Sequence, residues 1–296
     1  MFSLNSPKCF YSWFFVPKFK PTVLICAIFF LLRIHHWAKN AFLFIPAFFA
    51  GVLADVNMMI LLTEGFLCFS FVASAVYIIN DYRDIEKDRL HPAKKNRPLA
   101  SNKVSKSTAI VLIFVCLAIG LVWGFLLNQN FAIALLMYLT INLLYSMGLK
   151  NVAILDTVMV ASGFLLRTLA GGWLANVEIS QWLVIMVFLL SFFLAMAKRR
   201  DDLVLFHEGQ APLRASSKNY TIEFLNTILS VLTAIIIVAY IMYTISDEVV
   251  RHIGSKYIYV TSLFVFAGLM RFLQITMVRK KAGRQQRSFL PIHLYR

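Results

Sequence analysis

The chain has 296 residues, 60% of them hydrophobic, with 29 Lys and Arg against 14 Asp and Glu, a net charge of +15. A strongly positive mean hydropathy over this length excludes a soluble domain and marks an integral membrane protein. The basic excess would suit nucleic acid only if it lined a soluble surface; it falls between apolar runs, so no nucleic-acid partner is expected.

Residues 1–20 are aromatic and basic, with Phe10, Tyr11, Trp13, Phe14, Phe15, Lys18 and Lys20, as in a segment lying in the headgroup layer. The apolar run 21–32 is too short to cross comfortably, so 1–32 reads as an N-terminal interfacial segment. Arg33, His35, His36, Trp37, Lys39 and Asn40 form a polar group just before a first span at about 41–54. Further spans follow at about 57–79, 107–127, 131–147, 152–175, 180–197, 221–245 and 257–278, each near the roughly 20 residues needed to cross. The fold class is therefore an all-α polytopic membrane bundle of about eight transmembrane helices. Its transmembrane domain covers 33–278, and 279–296 is a basic tail. Cys9, Cys26, Cys68 and Cys116 lack metal-ligand spacing and read as core thiols. The N-terminus shows no removable signal, so targeting is expected from the spans.

Charge sets the orientation. The loops 81–106, 148–151 and 198–220, with the tail after Val278, carry twenty Lys and Arg, whereas the opposing loops carry only Arg251 and Lys256. By the positive-inside rule the first set is cytoplasmic, and much of the net charge reflects topology and attraction to anionic lipid.

The stretch from Ala75 to Lys106 leaves the apolar run abruptly. Asn80, Asp81, Asp84 and Asp88 follow one another at spacings that place them on one broad face of a continuing helix. Crowded carboxylates repel unless a cation sits among them. Mg²⁺ takes one or two protein carboxylates and fills its other positions with water and phosphate, so a metal-bound diphosphate is the natural ligand. Lys94, Lys95 and Arg97 come next and offer donors to the remaining phosphate oxygens. The plainer alternative is a solvated helix end paired locally with Arg83, Lys87 and Arg89. The recurrence of polar clusters on the same side, at Tyr145, Ser146 and Lys150, at Asp156, and at Lys198 to Asp202, favours the functional reading.

Asp156 and Arg167 share a helix face but stand roughly 16 Å apart along the axis, so each is expected to meet another helix. Arg167 has a competing structural reading, a backbone carbonyl or a neighbour's carboxylate. Lys198 to Asp202 also suits a membrane anchor, most of all at its last residues. Arg33 and Lys39 are anchors or phosphate grips. His35, His36, His91 and His207 have no partner at ligand spacing and read as packing residues. Gly171 and Gly172 allow close helix contact. No Walker loop, G-x-S-x-G, H-E-x-x-H or Rossmann fingerprint is present.

These motifs resemble those of the UbiA-type polyprenyltransferase superfamily, whose N-D-x-x-D-x-x-x-D is met by Asn80, Asp81, Asp84 and Asp88. Within it the chain is most similar to the decaprenyl-phosphate phosphoribosyltransferase branch. That likeness rests on R-x-x-x-W-x-K-N from Arg33 to Asn40, on D-R-x-H-P-x-K-x-x-R-P-x-A from Asp88 to Ala100, and on Y-S-x-x-L-K from Tyr145 to Lys150. It continues through L-D and G-F-x-x-R-x-x-A-G-G between Leu155 and Gly172, then Lys198, Arg199, Arg214 and Tyr220.

The resemblance implies Mg²⁺-dependent transfer of 5-phosphoribosyl from phosphoribosyl diphosphate to a polyprenyl phosphate in cell-wall precursor synthesis, at the cytoplasmic face of a bacterial plasma membrane. By the same likeness Asp81, Asp84 and Asp88 hold the metal, and Asn80 orients them or the diphosphate. Lys94, Arg97, Lys150 and Lys198 contact phosphate, and Asp156 meets the ribose hydroxyls or a second ion. Arg33, Lys39, Tyr145, Arg167 and Arg199 complete the expected substrate contacts. Prenyl-transferring relatives carry a second D-x-x-x-D, whereas here Asp156 is followed by Val160, which favours the phosphoribosyl branch. Asn102 replaces a usual glycine and is expected to accept a left-handed turn. The superfamily's ninth span is expected to be missing. Prenyl transfer to an aromatic acceptor and a non-catalytic or transport role are the competing functions; homo-oligomerisation is left open.

Overall fold

The computed structural model describes residues 21–90, 94–209 and 216–278, and among them every regular element is helical. In order these are α1 (Pro21–Leu32), a 3₁₀ segment (Ile34–Phe44) running into α2 (Ile45–Phe49), α3 (Val56–Arg83) and α4 (Ile85–Leu90). Then come α5 (Lys106–Leu127), α6 (Gln129–Met147), α7 (Leu155–Ala175), α8 (Gln181–His207), α9 (Ile222–Ile245), α10 (Asp247–Ile253) and α11 (Thr261–Val278). Seven of the expected spans, α3, α5 to α9 and α11 with its lead-in turn from Lys256, are helices long and apolar enough to cross a membrane. Short polar caps start most of them: Ser105, Asn128, Ser180 and Thr221 each accept a hydrogen bond from a first-turn amide. The expected N-terminal segment 1–20, the tail 279–296, His91 and Arg214 lie outside the described residues.

The span expected at 41–54 needs correcting in its limits and its conformation. As an α-helix those residues would reach only about 21 Å, short of the roughly 30 Å hydrocarbon core. The segment instead starts at Arg33 and is a 3₁₀ helix from Ile34 to Phe44, whose rise of ~2.0 Å per residue covers about 22 Å before α2 continues. The polar residues from His35 to Asn40, read in the sequence as preceding the span, thus belong to the same helical run.

Such a long 3₁₀ run needs support from its neighbours. With three residues per turn, Trp37, Asn40 and Leu43 fall on one stripe. Trp37 Nε1 donates to Ser74 Oγ at 3.0 Å, and Asn40 Nδ2 donates to Ser70 Oγ at 2.9 Å. Ser74 in turn donates to the Leu32 carbonyl at 2.8 Å. Leu43 lies against Gly171 of α7, where a Cβ would overlap its carbonyl, so the small residue noted in the sequence serves this segment. The segment therefore runs antiparallel along α3, wedged between α3 and α7. One face of α1, through Ala27 and Leu31, packs with Ile78, Ile85, Leu99, Val104 and Ala109.

Because each long helix reverses direction, α3, α6 and α8 finish at the end of the bundle where α5, α7 and α9 begin. Contacts confirm it: Ser146 donates to Asn80, Lys150 meets Asp84, Arg199 meets Asp156, the Ile154 amide donates to Tyr220, and Arg200 donates to the Thr276 carbonyl. The polar clusters scattered through the sequence share one end, above apolar cores built by α3, α5, α6 and α7 and by α8, α9 and α11.

Candidate active site

The acidic stretch stays close to the helix expected. α3 stops at Arg83 and α4 resumes at Ile85, while the Asp84 amide donates to Asn80 and the Asp88 amide to Asp84, at 3.0 and 2.8 Å. Asp81 and Asp88 therefore stay near one another. Both bind the same atom: Arg97 Nη1 lies 3.0 Å from Asp81 Oδ1 and 2.7 Å from Asp88 Oδ2. Arg33 Nη2 also donates to Asp81 Oδ1, at 2.6 Å. Asp84 turns to Lys150, whose Nζ lies 3.1 and 2.8 Å from its two oxygens.

The cations neutralising these acids come from distant segments. Local pairing with Arg83, Lys87 and Arg89 does not describe the cluster: Arg89 binds Glu86, Asn102 and the Ala100 carbonyl instead. Asn102 does take the left-handed conformation expected of it, at φ 57°. Its side chain helps hold the loop that delivers Arg97.

This geometry decides how a divalent ion would fit. Asp81 and Asp88 are each 3% exposed and converge on one cationic point, which is what an ion with two protein carboxylates requires. Among the described residues no three His, Cys, Asp or Glu side chains gather tightly enough to hold a metal alone. Water and substrate phosphate would therefore supply the other donors, and Asp84 would have to leave Lys150 to join.

Asp156 differs. It is fully buried on the first turn of α7, and its Oδ2 accepts from Arg199 Nε at 2.7 Å. Arg199 also reaches Asp202 at 3.4 Å. Asp156 Oδ1 has no hydrogen-bond partner among the described residues, and neither has the buried Ser217 Oγ. Ile154, two residues before Asp156, has φ 68°, a strained value for a β-branched residue; Tyr220 accepts its amide, and its carbonyl accepts from Thr157 at 2.7 Å. Burial raises the Tyr220 phenol above its usual value and keeps it protonated.

Arg167 takes the structural option foreseen for it. It donates to Asn40 at 2.7 Å, to the Gly163 carbonyl at 2.6 Å and to Tyr138 at 3.1 Å, and it stacks over Phe69, Tyr138 and Phe164. Among the described residues no carboxylate touches it, and through Asn40 it braces the 3₁₀ segment. Lys39 is exposed, with Arg33 and Arg167 as its charged neighbours. Lys94 and Lys198 are exposed at the same end, and Tyr145 is half-buried one residue before Ser146.

Several contributors escaped the sequence reading. Ser70 and Ser74, one turn apart in an apolar span, face Trp37 and Asn40, a signal that a search for polar pairs at helical spacing would have found. Arg200 was left among the anchors. It donates to Asn226 at 2.6 Å and to the Met277 carbonyl at 3.3 Å, as well as to Thr276, tying α8 to α9 and α11.

Comparison with known proteins agrees with this fold. The family model described as "UbiA prenyltransferase family" matches residues 41–294. A decaprenyl-phosphate phosphoribosyltransferase of Mycolicibacterium smegmatis is 33% identical over 77% of this chain and 73% of its own. Another, of Corynebacterium glutamicum, is also 33% identical, over 72% of this chain and 65% of its own. Among solved structures, a UbiA homolog from Archaeoglobus fulgidus bound to DMAPP and Mg²⁺ superposes with a TM-score of 0.66 at 20% identity, over 83% of this chain and 85% of that one. On sequence and fold together, the chain is a member of the UbiA prenyltransferase family.

Proposed function

We propose that this chain transfers 5-phosphoribosyl from phosphoribosyl diphosphate to a polyprenyl phosphate of the decaprenyl type, releasing diphosphate. The observation that carries the reading is the convergence of Asp81 and Asp88 on one cationic point, ringed by Arg33, Arg97 and Lys150. The naming of the relatives and the loss of a second acidic pair at Val160 support the phosphoribosyl branch over prenyl transfer.

In this reading an oxygen of the acceptor phosphate bonds to the anomeric carbon of the ribose. The bond from that carbon to the diphosphate oxygen breaks, and its electron pair leaves with the diphosphate. A divalent ion such as Mg²⁺, held by Asp81 and Asp88 with Asp84 joining on substrate binding, would stabilise the charge growing on the leaving group. Arg97, displaced from the two carboxylates, turns onto the diphosphate, where its fork suits phosphate oxygens. Lys150, released from Asp84, does the same, with Lys94 and Lys198 as further donors at this end. Asn80 stays oriented by Ser146. Asp156 acts from beneath through Arg199, since burial keeps it from substrate. The acceptor phosphate is already anionic, so no strong general base is required. The excess of Lys and Arg supports a cytoplasmic facing for this end, and the naming of the relatives supports a bacterial plasma membrane.

The test uses membranes containing the chain, Mg²⁺, labelled phosphoribosyl diphosphate and a polyprenyl phosphate. Label should enter the lipid phase only with the phosphorylated acceptor, and a folded Asp84→Ala variant should lose most of it. Label transfer from a labelled allylic diphosphate to an aromatic acceptor instead, or a fully active Asp84→Ala variant, would overturn the assignment.

A further inference from the structure

Charge balances at the acidic cluster. Among the described residues Asp81, Asp84 and Asp88 are matched by Arg33, Arg97 and Lys150, three cations for three carboxylates. A divalent ion entering alone would set two more positive charges among those cations, and would have to push Arg97 off Asp81 and Asp88 at once. Arg97 faces the converse restraint. If it left alone, Arg33 would still hold Asp81, but Asp88, 3% exposed, would lose the one cation it is paired with among the described residues. A buried carboxylate without a counter-charge is costly. An ion arriving with a diphosphate meets neither obstacle, because the ion compensates Asp88 while the phosphate oxygens accept the guanidinium.

The backbone around Arg97 is well held. Arg97 follows the short 3₁₀ turn Lys94–Asn96, and its amide donates to the Lys94 carbonyl at 2.9 Å. Its own carbonyl accepts from the Ser101 amide at 2.9 Å and from Ser101 Oγ at 2.8 Å. The neighbouring Pro98 carbonyl accepts from the Lys103 and Val104 amides, at 2.9 and 3.2 Å. Leu99 and Val104 are buried with Ile78, Ile85 and Ala109, which fastens this loop to α3, α4 and α5. The Arg97 side chain, in contrast, is 28% exposed, and a single atom, Nη1, serves both carboxylates. A fixed root with an accessible head lets the guanidinium pass from one anion to another while the loop stays in place.

We propose that Arg97 is an internal counter-ion plug that couples the two ligands of this site, so that divalent metal and diphosphate bind as one unit and each alone binds weakly. The inference rests on the proposed reading for the diphosphate as leaving group, and extends it to the form in which the donor enters, its metal complex. By linkage, metal raises diphosphate affinity by the same factor by which diphosphate raises metal affinity. When the diphosphate departs, Arg97 returns to Asp81 and Asp88, and the metal leaves with the product. The plug has a signature that an arginine serving only as a phosphate contact lacks: removing its charge tightens the binding of free metal while it weakens metal-bound diphosphate.

The experiment measures two bindings on the full chain in detergent: Mn²⁺ alone by electron paramagnetic resonance, and labelled inorganic pyrophosphate by equilibrium dialysis, in Mg²⁺ or in EDTA. In the wild type, Mg²⁺ should tighten pyrophosphate by about tenfold or more. Arg97→Met should bind Mn²⁺ alone about tenfold or more tightly than the wild type and lose most of the gain that Mg²⁺ gives to pyrophosphate. Arg97→Lys keeps the charge and should stay close to the wild type in both. Thermal unfolding of the same samples reports folding, and Mn²⁺ should raise the midpoint of Arg97→Met more than that of the wild type. An Arg97→Met chain that folds only with Mn²⁺ present would support the plug by the same logic. Unchanged or weaker Mn²⁺ binding in folded Arg97→Met would overturn it, and so would wild-type pyrophosphate affinity that is equal in Mg²⁺ and EDTA. None of these readouts involves transfer, so the expected pattern in a chain that moves no phosphoribosyl group would leave the plug standing and sink the proposed reaction.

Discussion

Two acid–base clusters share one end of the bundle and behave differently. Asp81 and Asp88 divide their charge between Arg33 and Arg97, both from outside α3 and α4 and both partly exposed, at 19% and 28%. Asp156 is sealed against Arg199, with exposures of 0% and 4%. A carboxylate pair whose counter-ion sits on an accessible loop can exchange that counter-ion for a metal and a phosphate. A buried ion pair cannot do so without leaving an uncompensated charge. Both clusters look alike as acids at the ends of apolar runs, yet one is built to open and the other to hold α7 against α8.

The largest expected effect breaks the closed cluster. Arg199→Met leaves the Asp156 carboxylate buried and unpaired, and should cost about 3–5 kcal/mol in thermal or denaturant unfolding. Adding Asp156→Leu should restore much of that stability, because two apolar groups replace a desolvated pair. Equal losses in the single and double variants would show that Asp156 has a further partner.

The open cluster should respond in activity. Asp88→Asn keeps the shape of the side chain but removes one of the two charges converging on Arg97, and should lower phosphoribosyl transfer by about 100-fold or more with little change in unfolding. A loss of stability in place of activity would make this cluster a second structural pair.

A smaller effect tests what positions Arg33. Gly171→Ala places a methyl group against the Leu43 carbonyl, and overpacking of this kind costs about 1–3 kcal/mol. The 3₁₀ segment would have to move, so substrate affinity should fall as well. Smallest is Tyr220→Phe, which removes the acceptor of the Ile154 amide and should cost about 1 kcal/mol by thermal unfolding.

The long spans were legible because twenty or so apolar residues between basic loops have few other stable states. The acidic cluster was legible because Asn80, Asp81, Asp84 and Asp88 keep helical spacing at the end of such a run. Its counter-ions were less so. Lys150 lies 66 residues from Asp84, and no local pattern announces that pairing. The helical run Ile34–Phe49 was read as starting later because hydropathy discounts a segment bearing Arg33, His35, His36 and Lys39. The signal overlooked was a period of three that sets Trp37, Asn40 and Leu43 on one stripe. Asp156 was read as meeting the ribose hydroxyls or a second ion; its pairing with Arg199, 43 residues on, was not legible because it depends on how α7 meets α8.

The central claim, that Asp81 and Asp88 form the exchangeable cation site and Asp156 does not, is tested most directly by Mn²⁺ titration of the purified chain followed by electron paramagnetic resonance. Asp88→Asn should weaken Mn²⁺ by about tenfold or more, and Asp156→Asn, in protein that remains folded, should leave it within about twofold. Undiminished Mn²⁺ binding in Asp88→Asn together with its loss in Asp156→Asn would contradict the account.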